Sequence, residues 1–213
     1  MTEIVAEISG NHGGKLENAI RLIDIAKSCG ADAVKFQCFR WLPLAQKRTG
    51  ITFRGVKLAF DDLIKLYQKT ETPREWFPHL IAEANQINIP WFSSVFHPND
   101  VAFLETINCP RYKISAYEML DGDLINAVVA TGKPIVISVR PRPGLTILQA
   151  SEYGGSVLPL GLSDHTANRD WPKLFSDGSM IERHIRLPDV DTPDAAFSST
   201  PDEFAAYVKA IRP

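Results

Sequence analysis

Two apolar runs in this sequence end alike: V-L-P-L leads into G-L-S-D-H-T (161–166), and M-I-E-R-H-I (180–185) closes a second run nineteen residues on. The first places Ser163, Asp164 and His165 in consecutive positions, and the second brings Glu182 and His184. Two histidines at the ends of neighbouring strands can share a divalent metal acting as a Lewis acid. A histidine at a strand end is also commonly a hydrogen-bonded core residue. Asp164 and Glu182 read as groups orienting a ligating imidazole, as structural hydrogen-bond partners, or as ligands themselves. Other apolar runs end in chemistry of the same kind: Glu7 with Asn11 and His12, Lys35 with Gln37, Ser94 with His97, Lys113 with Ser115 and Glu118, Ser138 with Arg140, and Ser151 with Tyr153. Lysines set among hydroxyls can hold a phosphate, so the set points to a phosphorylated substrate handled with a divalent ion. Lys35 lies between apolar neighbours, where an unpaired ammonium is costly to bury.

Such residues need a scaffold that gathers strand ends. Short β-branched runs alternate with helical spacing, the βαβα pattern of a parallel sheet with helices outside it. Eight strands are predicted: 3–8, 33–38, 90–95, 111–115, 134–139, 146–151, 158–163 and 179–185. Helices are predicted from Leu16 to a C-cap at Gly30, from Pro73 to Ile87, after a cap at Asn99 or Asp100, and from Pro201. Eight parallel strands with helices between them make a (β/α)8 TIM barrel, a fold of roughly 250 residues in its usual form. Only six residues separate Val139 from Thr146, and six more link Ser151 to Leu158, too few for a helix. We therefore expect a compact barrel whose strands return by extended legs and whose outer helices are missing or shortened around strands 5 to 7. The bare apolar wall favours a partner chain. Residues 40–60 read as a long functional loop after strand two.

With 213 residues the chain suits one barrel domain, 1–213. A net charge of −2 and no polybasic run argue against nucleic acid as partner. Cys29, Cys38 and Cys109 form no C-x-x-C, and Cys38 reads as a small buried hydrophobe; a reducing cytoplasm fits. The acidic N-terminus is unlike a signal peptide, and no run reaches the ~20 apolar residues of a membrane span.

Residues 6–37, AEISGNHGGKLENAIRLIDIAKSCGADAVKFQ, resemble the opening of the N-acetylneuraminate (sialic acid) synthase family, which reads A-E-I-G-x-N-H-x-G and then G-A-D-A-V-K-F-Q. Y-K-I-S-A-Y-E, T-G-K-P-I-V-I-S, G-L-S-D-H-T, I-E-R-H-I and D-T-P-D-A-A-F-S-S-T-P-D-E-F follow in family order along the chain. The resemblance implies a TIM barrel that condenses phosphoenolpyruvate with an N-acylhexosamine aldehyde, such as N-acetylmannosamine, to give a nonulosonic acid and phosphate. It implies Mn²⁺ or Mg²⁺ on His165 and His184. Lys35, Lys113, Ser94 and Ser163 match phosphoenolpyruvate-binding positions, Gln37, Tyr153 and Asp194 match positions around the substrates, and Glu118 and Glu7 match acidic residues near the reacting carbons. A homodimer is implied too.

The sequence also departs from the family. Ala116 and Tyr117 replace its Ser-Gly, leaving Ser115 as the hydroxyl; Gln149, Ala150 and Ser151 replace His-Cys-Asn; Ser138 is followed by Val139 and Arg140, a guanidinium able to hold phosphate or carboxylate; Ala195 replaces a frequent His. With its last residue at Pro213, we expect a compact form lacking the family's C-terminal antifreeze-like domain. These departures keep two alternatives in view: a synthase for a different aldehyde, and a non-catalytic barrel.

Overall fold

A computed structural model describes residues 1–50, 52–53, 56–142, 145–151, 161–166 and 178–212, with the backbone path alone at 52–53, 140–142 and 145–151. Eight strands close a barrel: β1 (Glu3–Glu7), β2 (Ala33–Cys38), β5 (Trp91–Val95), β6 (Tyr112–Ile114), β7 (Ile135–Arg142), β8 (Leu145–Ser151), β9 (Gly161–Asp164) and β10 (Met180–His184). Their order round the ring is β1-β10-β9-β8-β7-β6-β5-β2. Helices α1 (Leu16–Ser28), α4 (Phe77–Gln86), α5 (Pro98–Glu105), α6 (Gly122–Val129) and α7 (Pro201–Ile211) join or follow the strands. Among the described residues no helix is long and apolar enough to cross a membrane.

Seven strands lie where the apolar runs place them and the one expected at 158–163 is described from Gly161 on, with 158–160 outside the described residues, but not all are parallel. β8 runs antiparallel to both β7 and β9. β7 continues past Val139 to Arg142, leaving two residues before β8, a link that can turn a hairpin but cannot carry a chain back for a parallel strand. The extended return is thereby corrected to a hairpin, and no helix stands between β7 and β8. Ser151 pairs with Ile135 at the start of β7, so it sits at the end of the barrel away from the other candidates. The links 152–160 and 167–177, with Tyr153, lie outside the described residues.

The segment expected as a loop is ordered into α2 (Trp41–Arg48), a small antiparallel pair of β3 (Thr52–Phe53) with β4 (Val56–Lys57), and α3 (Phe60–Thr70). Trp41, Leu44, Ala45 and Arg48 repeat at i, i+3, i+4 and i+7, one helical face, with Pro43 tolerated in the first turn. Leu44 and Ala45 pack with Leu63 and Tyr67 of α3 and with Phe39 and Phe96 in a core of their own beside the barrel mouth. The cap of α5 is His97, whose ring accepts the Asn99 N–H, rather than Asn99 or Asp100.

Inside the barrel the two-residue period of the strands does the sorting. Val5, Ala33, Phe92, Val136 and Met180 form one buried apolar cluster. Two positions along each strand stand Glu7, Lys35, Ser94, Ser138 and Glu182, all buried and all lining one cavity. The alternate residues Ile4, Ala6, Val34, Phe36, Cys38, Tyr112 and Ile114 join the larger core shared with the helices. A hydrophobic plug thus floors a polar chamber.

Candidate active site

The cavity measures about 760 Å³ and opens at the C-terminal ends of the parallel strands, where barrels of this kind hold their chemistry. Four buried ionisable groups, Glu7, Lys35, Lys113 and Glu182, cross its floor. Lys113 donates to Glu182 Oε1 and Oε2 at 2.9 and 2.8 Å. Lys35 is ion-paired with Glu7, lies 3.4 Å from Glu182 Oε2 and donates to Ser94 Oγ at 2.8 Å. Ser163 donates to Glu182 Oε1 at 2.9 Å.

Burial and charge push these groups apart. Burial alone would raise Glu182, but Lys113 and Lys35 hold it well below the usual carboxylate range. Burial lowers Lys35, and Glu182 and Glu7 more than offset this, so its ammonium is kept above the ordinary lysine value. Burial brings Lys113 down to about 8 despite Glu182. Glu7 is raised to about 7, chiefly by burial against the pull of Lys35. Apart from that ion pair its oxygens have no hydrogen-bond partner among the described residues.

His165 and His184 stand next to this floor with ring centroids 5.0 Å apart, and Phe197 packs against both rings at 5.0 and 4.7 Å. Burial, then the neighbouring His165, holds His184 well below its ordinary value, so its imidazole is neutral and its 3.9 Å approach to Asp194 Oδ2 is a contact rather than an ion pair. His184 Nδ1 is buried without a hydrogen bond among the described residues. A neutral imidazole beside a second imidazole offers two nitrogen donors of the kind a divalent cation takes. Among the described residues no group of three or more His, Cys, Asp or Glu is arranged as a metal cage.

Strand alternation answers why Ser163, Asp164 and His165 adjoin. Ser163 and His165 line the cavity, and Asp164 faces outward. There Asp164 Oδ1 accepts Thr166 N–H at 2.8 Å and its hydroxyl at 2.7 Å, while Oδ2 accepts Arg183 at 3.0 Å and Tyr207 at 2.9 Å. Arg183 also bonds Ser199 Oγ at 2.6 Å, tying the strands of both histidines to the segment that carries Phe197.

The NeuB family matches residues 22–140, more than half of the chain. This chain belongs to the NeuB family. Pseudaminic acid synthase of Helicobacter pylori is 32% identical over 99% of this chain and 73% of its own length. N,N'-diacetyllegionaminic acid synthase of Campylobacter jejuni is 30% identical over 99% and 75%. The crystal structure of N-acetylneuraminic acid synthetase from Leptospira borgpetersenii shares the barrel with a TM-score of 0.78 and 22% identity, over 99% of this chain and 82% of that one. The Helicobacter alignment covers 251 positions against 213 residues here, so at least 38 positions fall opposite gaps in this NeuB chain, in keeping with its shortened outer layer.

Of the candidates in this NeuB barrel, Glu7, Lys35, Gln37, Ser94, Lys113, Ser115, Ser138, Ser163, His165, His184 and Asp194 share the cavity. Asp194 reaches it from a loop and accepts Ser9 Oγ at 2.6 Å. The side chain of Arg140, like Tyr153, lies outside the described residues. Asn11, His12 and His97 are structural. Asn11 bonds Ile185 O, Ser198 and Thr192, and His12, held by burial down to about 4, accepts Gly14 N–H. Cys38 is a buried thiol whose ionisation is suppressed by burial. Glu118 is buried beside the cavity wall, with Ser115 and Arg48 on its two oxygens. Sequence reasoning undervalued Glu182, whose inward register was the available signal, and missed Arg48 because its helix was read as loop.

Proposed function

We propose that this chain is a synthase that condenses phosphoenolpyruvate with the aldehyde of an acylated amino hexose, N-acetylmannosamine or a similar sugar, giving a nonulosonic acid and phosphate. The observation that carries the proposal is the pair of buried lysines, Lys35 and Lys113, set with Ser94 and Ser163 beside the imidazoles of His165 and His184: a trap for phosphate and carboxylate next to a place for a divalent cation. The synthase names of its relatives support it, and so does the chain's span of about three quarters of their length.

His165 and His184 would hold the cation, Mn²⁺ or Mg²⁺, which when bound polarises the aldehyde oxygen. Lys35 and Lys113 take the anionic ends of phosphoenolpyruvate, with Ser94, Ser163 and Ser138 as hydroxyl donors. Two carboxyl groups and two ammoniums share the floor, so an arriving anion favours protonation of the more basic carboxylate, Glu7. Glu7 then holds the proton that the new hydroxyl requires. Glu118, charge-compensated by Arg48, is the carboxylate that takes the proton lost by water as it adds to the phosphate-bearing carbon, left electron-poor once its neighbour has attacked the aldehyde; the bond from that carbon to the phosphate oxygen then breaks and phosphate leaves. Gln37, Asp194 and Ser115 line the space left for the sugar, with Arg140 and Tyr153 carried from the family pattern.

Residues 1–213 are taken as one barrel domain, a homodimer, working in the cytoplasm. The test is phosphate release from phosphoenolpyruvate with Mn²⁺ and the aldehyde precursors of neuraminic, pseudaminic and legionaminic acids. Sugar-dependent release, with the product acid identified by mass, supports the proposal. Release only with another aldehyde class, or none at all, sinks it.

A further inference from the structure

We propose that Arg48 is a positioning residue for Glu118, and that helix α2 is thereby part of the active-site wall. The assignment rests on the reading above only in giving Glu118 proton-transfer work; the geometry stands by itself. Arg48 Nη2 pairs with Glu118 Oε1, and Ser115 Oγ donates to Oε2, so both carboxylate oxygens are held. The guanidinium is 4.1 Å from the Tyr117 ring centroid, which fixes its plane. The preceding residue anchors the helix a second time: Lys47 donates to Phe96 O at 3.0 Å and pairs with Asp121, the residue that caps α6. Consecutive residues of α2 thus grip the ends of β5 and of the β6–α6 loop.

Stability does not explain the arginine. Its side chain is 4% exposed, and Nε and Nη1 have no hydrogen-bond partner among the described residues. A buried ion pair with unsatisfied donors stabilises poorly, and an apolar side chain of similar volume would suit the neighbouring core of Leu44, Ala45 and Tyr67 better. The charge therefore serves its partner. Glu118 is buried, and burial raises its carboxyl; Arg48 opposes this most strongly, followed by the Ser115 hydroxyl and Lys47. Among the described residues, Tyr67 of α3 and Tyr117 of the same loop also face the pair, with Asp194 acting on Tyr67.

The experiment compares the full chain with Arg48→Met, Arg48→Lys, Glu118→Gln and the Arg48→Met/Glu118→Gln double variant. We expect Arg48→Met to lower kcat ~10- to 100-fold with the KM for phosphoenolpyruvate changed less than ~3-fold. Its acidic limb in the pH profile moves upward by about one unit, and Arg48→Lys brings it part of the way back. The double variant is no slower than Glu118→Gln, because the arginine acts through the carboxylate. An unmoved limb, or losses that multiply in the double variant, overturns the proposal. Infrared titration of the carboxyl band absent in Glu118→Gln reads the same shift without turnover. A band that moves in Arg48→Met or Arg48→Lys upholds the pairing even where no aldehyde is turned over, whereas a band that stays overturns it.

Discussion

Lys113 on β6 and Glu182 on β10 meet through both carboxylate oxygens, although their strands stand four places apart in the ring of eight, on opposite walls. The bond therefore crosses the barrel and braces it. Lys35 and Ser163 approach the same carboxylate; Glu7 is ion-paired with Lys35, whereas both ammoniums face Glu182.

Replacing that residue by Gln leaves two buried ammoniums facing each other with Glu7 alone. A broken buried pair costs about 3–5 kcal/mol. Because Glu182 is held below its unfolded value, its contribution is complete above the unfolded carboxylate pKa of ~4.3 and is lost as the pH falls toward the folded value. Urea unfolding should show Glu182→Gln less stable by that amount at pH 7, with the gap closing on acidification below ~4. A constant gap across pH would show that lost packing, and not charge, is what the variant measures.

Lys113 sets the alkaline side. Its ammonium is brought down to about 8, so the free protein loses a positive charge on the floor above that pH. The kcat/KM for phosphoenolpyruvate, which reports groups of the free enzyme, should fall with a limb near pH 8, and Lys113→Arg should remove that limb whatever activity remains. A limb that persists in the arginine variant assigns it to another group.

Glu7 gives the floor its response to an anion. Raised to about 7, it is part-ionised at neutral pH, and a bound phosphoenolpyruvate raises it further. Calorimetry in buffers of different ionisation enthalpy should find up to one proton taken up per phosphoenolpyruvate at pH 7.5, and much less at pH 5.5, where the carboxyl already carries its proton. Glu7→Gln should abolish the difference between the two pH values. Equal uptake in the variant would place the proton elsewhere.

How far the sequence exposes this site follows from periodicity. Glu7, Lys35, Ser94 and Ser138 each stand two residues past an apolar partner of the plug, so their inward direction is legible from strand alternation alone. The same rule points Glu182 inward, but beside a histidine it reads equally as an orienting group, and only the distance to Lys113 decides. The antiparallel course of β8 is not legible, because a two-residue turn and a six-residue extended return differ only in where β7 stops. Arg48 is hidden because the stripe of α2 is short and ends on the arginine itself, with Pro43 inside it reading as a helix breaker.

Asp164 faces away from the cavity, yet it decides where His165 stands. Its four accepted bonds fix the turn at Thr166 and neutralise Arg183, which is buried against Tyr207 and Ser199. Asp164→Ala leaves the guanidinium uncompensated and frees the turn. Removing a group that orients a ligating histidine typically weakens metal binding 10- to 100-fold. We expect Mn²⁺ affinity, read by the free-ion signal in electron paramagnetic resonance, to fall in that range, and Asp164→Asn to fall less because one acceptor oxygen remains. His184→Ala, which removes a neutral imidazole rather than its support, should abolish specific binding and be tolerated thermally better than Asp164→Ala. Wild-type Mn²⁺ affinity in both Asp164 variants would confine the network to stability, and undiminished binding in His184→Ala would remove the imidazole pair from the metal's account.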